Sequence, residues 1–247
     1  MLISTNAIVL KRISYSDSSL ICRIFTKESG KITIIAKGAK RPKNISSAVL
    51  EPINHIHLEY YQKNTRNIQI LKNCIFIQNY SFIRNNLNKL LLALSVVEII
   101  DKSMHDGNPQ PIIYKLTWRI FEKLNNKDYN HWIIYIFFLY HFSVRLGFKP
   151  DIKYCGKCNT KMEQCKFDNF SGELCCHLCL PNQKHLFNSN SLIKLSSINI
   201  DKIEVLKIPK GEILNIITFF KLFLSYHIEG IRKLKSMHFI MNTLKNI

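Results

Sequence analysis

Residues 20–36 read LICRIFTKESGKITIIA and contain two short β-rich runs on either side of a turn. In the first run, residues 20, 22 and 24 alternate with residues 21, 23 and 25, which is the two-residue period of a strand with two different faces. Ser29-Gly30 is a turn signal, and Lys31 to Ala36 forms the second run. This stretch therefore predicts two consecutive strands.

Three further runs of the same kind surround this stretch. They are Ala7–Ile13, an alternating run around Ile56, Leu58 and Tyr60, and Asn67–Ile77. No long helical pattern interrupts the five runs. Since closing a small sheet removes its exposed edges, we expect residues 1–80 to form a five-stranded OB-type β-barrel.

The hydrophobic period changes to that of helices after residue 80. Apolar residues at 87, 90, 91, 94 and 97 follow helical spacing, and Pro111 suits the first turn of a second helix. Asn130 predicts the start of a third helix, from about His131 to Leu146, and Gly147 its end. Two more helices are expected at Gly211–His227 and Ile228–Asn246, and Gly230 can kink the second of them. The chain is thus predicted to be α+β, with a helical domain over residues 81–247.

Eight cysteines stand in a chain for which we expect reducing surroundings. Four of them form two C-x2-C pairs separated by 17 residues, a spacing typical of a zinc site. The predicted ligands are Cys155, Cys158, Cys176 and Cys179. Two tight turns can place four thiolates around one ion. Four thiolates fill the tetrahedral coordination sphere and leave no position for a catalytic water. We therefore expect a structural zinc knuckle over residues 151–182, inserted in the helical domain.

Two alternatives remain for this cysteine cluster. Cys175 adjoins Cys176 and has an acceptable spacing to Cys179, so it can compete as a ligand. Four cysteines also suit an iron–sulfur centre, although the paired C-x2-C pattern favours zinc. Cys165 is a spare thiol between the two pairs.

The chain is strongly basic. It has 35 Lys and Arg against 17 Asp and Glu, a net charge of +18, and a pI near 9.6. A pI of this size is typical of nucleic-acid-binding proteins, but a genome rich in A and T also enriches lysine. Residues 1–80 alone carry 12 basic and 4 acidic residues. This concentration in the predicted barrel favours nucleic-acid binding over compositional drift.

The densest basic run is KGAKRPK at residues 37–43, directly after the third predicted strand. Cations in such a loop can neutralise phosphates, while aromatic side chains stack on bases. The candidate DNA-contacting residues are Lys37, Lys40, Arg41 and Lys43, with Lys11 and Arg12 on the barrel nearby. The candidate stacking residues are Tyr15, Phe25, Tyr60 and Tyr61, although barrel aromatics usually belong to the core.

Sequence patterns of several enzyme classes are missing. The chain has no nucleotide-binding G-x-x-x-x-G-K-[ST] string, no G-x-G-x-x-G and no H-E-x-x-H. Met1 to Leu10 lacks the pattern of a signal peptide, and the most apolar stretch, Trp132 to Tyr140, is too short for a membrane span. We therefore expect a cytoplasmic protein without catalytic residues.

Several stretches, in this order along the chain, resemble the bacterial recombination-repair family RecO. They are residues 7–10 (AIVL), 15–17 (YSD), 25–30 (FTKESG), 36–41 (AKGAKR), 50–52 (LEP), 146–150 (LGFKP) and 234–240 (LKSMHFI). The match departs from the family at Asp17, where Glu is frequent, and at Ser171-Gly172, where two glycines usually precede the second knuckle.

The resemblance implies an N-terminal OB fold, a helical domain and a zinc knuckle. It also implies binding of single- and double-stranded DNA, annealing of complementary strands, and a nucleoid-associated location. The implied protein partners are RecR and single-strand-binding protein, with RecA loaded indirectly onto gapped DNA. Two other functions remain open for the same residues. One is a zinc-knuckle RNA-binding or ribosome-associated protein, and the other is a nucleic-acid-modifying enzyme whose site is dispersed along the chain.

Overall fold

The computed structural model describes residues 1–183 and 185–245 and divides into two compact units, Met1–Asn126 and Lys127–Ile247. Residues 184, 246 and 247, which the predicted helical domain includes, lie outside the described residues.

The first unit begins with a closed five-stranded barrel, as predicted. The strand order is β1-β2-β3-β5-β4. The strands are β1 (Leu2–Tyr15), β2 (Ser19–Thr26), β3 (Gly30–Ala36), β4 (His55–Tyr61) and β5 (Ile68–Gln78).

The long strand β1 makes this closure possible because it pairs with two neighbours in turn. Its first half, Leu2–Ile8, is antiparallel to β4, and its second half is antiparallel to β2. The register shifts between Val9 and Lys11, the kind of irregularity that bends a strand. On the other side, residues 33–35 of β3 run parallel to residues 68–70 of β5 and close the ring.

Small and β-branched apolar side chains fill the barrel. Every strand contributes to this core, and so does the connection between β3 and β4. The fully buried members include Ala7, Val9, Cys22, Ile24, Ile34, Ile56 and Leu58 from the strands, and Ala39, Val49 and Leu50 from the connection.

Four helices complete the first unit: α1 (Ser46–Val49), α2 (Ser81–Arg84), α3 (Leu87–Ser103) and α4 (Pro111–Leu124). Polar contacts join α3 to the barrel. Arg23 forms a 3.0 Å ion pair with the Asp101 carboxylate. Lys31 is only 5% exposed, and its ammonium donates to the Asp101 carbonyl at 2.8 Å. Such partners are what a buried lysine needs.

The first compact unit extends to Asn126 and therefore contains α3 and α4 together with the barrel. The boundary predicted after residue 80 concerns which part of the chain folds by itself, and it stays a prediction.

The second unit is helical with a small sheet. Its helices are α5 (His131–Arg145), α6 (Ser189–Ser197), α7 (Lys210–His227) and α8 (Lys235–Lys245). The sheet has the order β7-β6-β8, formed by β6 (Gln164–Phe167), β7 (Leu174–Cys176) and β8 (Phe187–Asn188).

The ends of α5 follow the sequence signals. The Asn130 side chain accepts hydrogen bonds from the N–H groups of Trp132 and Ile133, and Gly147 adopts a φ of 92° after the helix. The helix expected over 228–246, with a kink at Gly230, forms only in its later part, and residue 246 lies outside the described residues. Ile228 is extended and a short 3-10 turn follows at Glu229–Ile231, so that α8 begins only at Lys235.

Across the described ranges, none of the helices combines the length and the apolar character that a bilayer crossing requires.

Two glycines of the first unit share a left-handed backbone conformation but differ in how closely other atoms surround them. Gly30 (φ 68°) and Gly107 (φ 71°) both occupy the left-handed region. A Cβ atom on Gly30 would lie 2.2 Å from the Asn108 carbonyl oxygen, whereas one on Gly107 would meet nothing within 4 Å. We expect Gly107→Ala to cost about 1 kcal/mol. Gly30→Ala should cost about 3 kcal/mol or more, because a clash adds to the strain. Urea unfolding of both variants measures the difference, and equal losses would contradict the close packing at Gly30.

Candidate nucleic-acid interface and metal centre

The basic loop, defined here as residues 37–44, is a compact hydrogen-bonded turn rather than an extended connection. The Arg41 N–H donates to the Gly38 carbonyl at 3.1 Å, and the Asn44 N–H donates to the Arg41 carbonyl at 3.1 Å. The Asn44 side-chain amide also donates to the Gly38 carbonyl, at 3.0 Å. Gly38 has a φ of 69°, which its missing Cβ allows.

A single buried residue orients the cations of the loop. Ala39 is 0% exposed and belongs to the barrel core. Its neighbours therefore point into solvent, and the exposed cations are Lys37, Lys40, Arg41 and Lys43. The structure thus brings four of the six predicted DNA-contacting residues together on one short, anchored turn.

The turn between β1 and β2 holds the basic loop in place. The Lys40 N–H donates to the Ser18 carbonyl at 2.9 Å, and the Lys40 ammonium donates to the Ser16 carbonyl at 3.2 Å. Ser16 has a φ of 53°, so it accepts this contact from a left-handed conformation. An ammonium has three donors, so Lys40 keeps two for other acceptors.

The other two predicted residues have different surroundings. Lys11 is exposed on β1, in register with Arg23 of β2. The Arg12 guanidinium forms a 2.6 Å ion pair with Glu51 and donates to the Ser47 carbonyl at 2.9 Å. These contacts tie Arg12 to the segment around α1, so its charge is already paired, and its part in DNA binding stays a prediction.

Two of the four candidate stacking residues are buried in the core, where barrel aromatics usually lie, and are not available to bases. Tyr60 is 1% exposed inside the barrel, where its hydroxyl donates to the Ser29 hydroxyl at 3.1 Å. Phe25 is 0% exposed beside Tyr114 of α4, with the ring centroids 5.9 Å apart. Tyr15 and Tyr61 remain accessible, at 53% and 47% exposure.

The second unit contains a four-cysteine cluster. The sulfurs of Cys155, Cys158, Cys176 and Cys179 all lie within 4.8 Å of one another, and those of Cys158 and Cys176 are 3.7 Å apart. With Zn–S bonds of about 2.3 Å, two sulfurs of a tetrahedral site are about 3.8 Å apart. The cluster therefore fits a zinc knuckle.

Backbone hydrogen bonds shape this cluster before any ion is considered. The Cys155 N–H donates to the Thr160 carbonyl and the Asn159 N–H donates to the Cys155 carbonyl, both at 2.9 Å, which closes the first knuckle. The Cys155 sulfur accepts the Cys176 N–H at 3.2 Å. Gly156 fits because a Cβ there would lie 2.5 Å from a Glu173 carboxylate oxygen.

The pKa values of Cys155, Cys158 and Cys179 are shifted in opposite directions. Burial works against ionisation of Cys155, but backbone N–H groups around its sulfur hold the pKa at about 6. Hydrogen bonds from Thr160 lower the pKa of Cys158. Hydrogen bonding with the thiols of Cys158 and Cys176 raises the pKa of Cys179 to about 12. A thiolate at Cys155 or Cys158 thus opposes ionisation of Cys179. A bound cation would remove this opposition, because its positive charge stabilises all the thiolates together.

The remaining two cysteines of this region are neutral buried thiols. Burial raises the pKa of Cys175 to about 11 and that of Cys165 to about 12. Cys175 precedes Cys176 on β7, where successive side chains point to opposite faces of the sheet. The group of four contains Cys176 and not its neighbour.

Comparison with known proteins assigns both parts of the chain to one family. Residues 1–80 match the family model "Recombination protein O N terminal", and residues 84–238 match "Recombination protein O C terminal". The chain belongs to the recombination protein O (RecO) family.

Individual RecO relatives are similar over parts of their length. A protein of Salinibacter ruber called "DNA repair protein RecO" is 35% identical over 50% of this chain and 48% of its own length. Proteins of the same name from Prosthecochloris aestuarii and Listeria monocytogenes are 27% and 28% identical, over 63% and 72% of this chain and 59% and 69% of their own lengths. The match thus spans about half of the first relative and somewhat more of the other two.

Several contacts of the RecO-family site could not be read from the sequence. The Ser16 and Ser18 carbonyls that hold the basic loop are backbone groups without a side-chain signature. Asp168, which is 2% exposed and lies 2.9 Å from the Lys157 ammonium, ties the first cysteine pair to the end of β6, but an isolated Asp carries no such signal.

We expect Cys158→Ser to lower the bound metal well below one equivalent, because three thiolates and a hydroxyl bind a soft cation more weakly than four thiolates. Cys175→Ser is the matched control, since it changes a neighbouring cysteine outside the group of four. Elemental analysis of both purified variants gives the result. Metal retained by Cys158→Ser and lost by Cys175→Ser would show that the ligand set is different.

Proposed function

We propose that this RecO-family chain is a DNA-repair and recombination mediator that binds single-stranded DNA through the basic loop. The observation that carries this proposal is the anchored turn that presents Lys37, Lys40, Arg41 and Lys43 to solvent from a closed barrel. Small barrels of this kind bind single strands by tracking the sugar–phosphate chain with a positive surface.

The rigidity of the loop supports binding as well as its charge. Its backbone is closed by internal hydrogen bonds, Ala39 is fixed in the core, and Lys40 is held at both its N–H and its ammonium. A loop that is already ordered loses little conformational entropy when a strand binds. Most of the free energy gained from the contacts between cations and phosphates then contributes to affinity.

The wider role follows from the family. Relatives are called DNA repair proteins, and we propose for this chain the annealing of complementary strands and binding to both single- and double-stranded DNA. We propose RecR and single-strand-binding protein as partners, and RecA as the recombinase that is loaded in consequence. We propose a cytoplasmic, nucleoid-associated location, in which the protein acts by binding and without turnover.

For the cluster at Cys155, Cys158, Cys176 and Cys179 we propose a structural zinc ion. Four thiolates close the coordination sphere, so the ion would stabilise the fold of the knuckle rather than activate water. The strands of this segment are only three or four residues long, so an ion that links its two cysteine pairs would add stability that so few backbone pairings do not supply.

We expect Lys40→Ala/Arg41→Ala to weaken binding to oligo-dT and to reduce the slope of log affinity against log salt by about 1.4. Each phosphate contact on a single strand contributes about 0.7 to that slope. Lys27→Ala is the control, because this exposed lysine lies just beyond the opposite end of β2 from the basic loop. Fluorescence anisotropy from 50 to 300 mM salt gives the slopes, and an unchanged slope in the double variant would exclude the loop as the contact.

The mediator role has its own experiment. Complementary strands coated with single-strand-binding protein are mixed with and without the chain, and faster annealing in its presence is expected. Structured RNA is then added as a competitor. Displacement of DNA by RNA at equal concentration would favour the RNA-binding alternative, and absence of annealing would contradict the mediator role.

A further inference from the structure

Tyr15 and Tyr61 are the two accessible tyrosines of the four proposed stacking residues, and they lie at different ends of β1. Tyr15 is the last residue of β1 and pairs with Ser19 of β2. Tyr61 pairs with Leu2, the first residue of the same strand. Since β1 is 14 residues long, only one of the two tyrosines can adjoin the basic loop.

The adjoining residue is Tyr15. The next residue in the chain, Ser16, accepts the Lys40 ammonium at 3.2 Å, and Ser18 accepts the Lys40 N–H at 2.9 Å. The same lysine therefore fixes both the basic loop and the turn that follows Tyr15. Tyr15 therefore directly precedes, in the chain, the residue whose carbonyl contacts an exposed cation of the loop.

The conformation of the turn fixes the backbone that carries this ring. Ser16 adopts a φ of 53°, which a non-glycine residue keeps only where its surroundings hold it. Tyr15 itself is fixed in register with Ser19, yet its side chain is 53% exposed. An ordered backbone thus presents an aromatic face that the fold itself does not cover.

The surroundings of the ring include an apolar neighbour. Ile13 lies two residues earlier on β1, on the same face of the strand, and is 45% exposed. Tyr15 and Ile13 together form an exposed apolar surface beside the positive charge of the basic loop. A single strand of nucleic acid complements both, because each nucleotide has an apolar base face and an anionic phosphate.

We infer that Tyr15 forms a nucleobase subsite in which an unpaired base stacks on the phenol ring while the adjoining phosphates contact the basic loop. This inference rests on the proposed function, since it assigns a base contact to the same DNA site. A protein partner is the less suitable occupant. Three of the exposed side chains of the basic loop are lysines, which are depleted in protein interfaces.

Tyr15→Ala is expected to weaken oligo-dT binding about tenfold, in line with the loss of one stacked base. The salt slope should stay unchanged, because no phosphate contact is removed. Tyr15→Phe should keep nearly full affinity, since stacking needs the ring and not the hydroxyl. Tyr61→Ala, which removes an equally exposed tyrosine elsewhere on the barrel, should have no effect.

Photo-crosslinking with oligo-dT that contains 5-iododeoxyuridine provides an independent readout. Irradiation of the complex with the full, unsubstituted chain should attach the base to Tyr15, and mass spectrometry of the digest should locate it there. This measurement keeps the inference testable if Tyr15→Ala lowers the melting temperature.

The outcomes separate the subsite from the proposed function. Unchanged affinity in Tyr15→Ala with no crosslink at Tyr15 would overturn the subsite, while the charge-dependent binding by Lys40 and Arg41 would still stand. A reduced salt slope in Tyr15→Ala would mean that the residue positions the basic loop, which also contradicts stacking. An unsubstituted chain that fails to bind oligo-dT at low salt would overturn both proposals.

Discussion

Parallel pairing of Thr33–Ile35 with Ile68–Ile70 turns five strands into a closed barrel, and most of the first unit depends on that closure. An open sheet would leave both edges unpaired and would not enclose Ile34 and Cys22. Because β3 is committed to β5 on one side and to β2 on the other, its end at Ala36 is fixed. The basic loop starts at that fixed end.

The basic loop is therefore part of the barrel and not an appendage to it. Ala39 contributes to the core, and Lys40 joins the loop to the turn between β1 and β2. Later in the same connection, the ion pair between Arg12 of β1 and Glu51 ties the segment that follows α1 to the barrel. The backbone that carries these cations is thus held in one conformation, so under the proposed function little binding free energy would be spent on ordering it.

The sequence was sufficient where a signal is local and periodic. Two-residue alternation gave the barrel, the Asn130 cap gave the start of α5, and two C-x2-C pairs gave the cysteine cluster. It was insufficient where burial depends on distant elements. Alternation shows that a strand has two faces, but not that Tyr114 of α4 packs against Phe25, so the sequence left Phe25 open as a stacking candidate. The backbone carbonyls of Ser16 and Ser18 that anchor the loop leave no sequence signal. Gly230 indicated a kink, but not that the helix would stop at Ile228 and restart only at Lys235.

The central claim is that a preformed basic turn on the barrel binds single-stranded DNA. Hydrogen–deuterium exchange of the full chain, with and without saturating oligo-dT, tests it most directly because each backbone amide reports its own protection. The account predicts slower exchange in residues 37–44 and 15–18 on binding, with little change in the cysteine cluster. Unchanged exchange in both segments, with protection confined to another region of the chain, would contradict it.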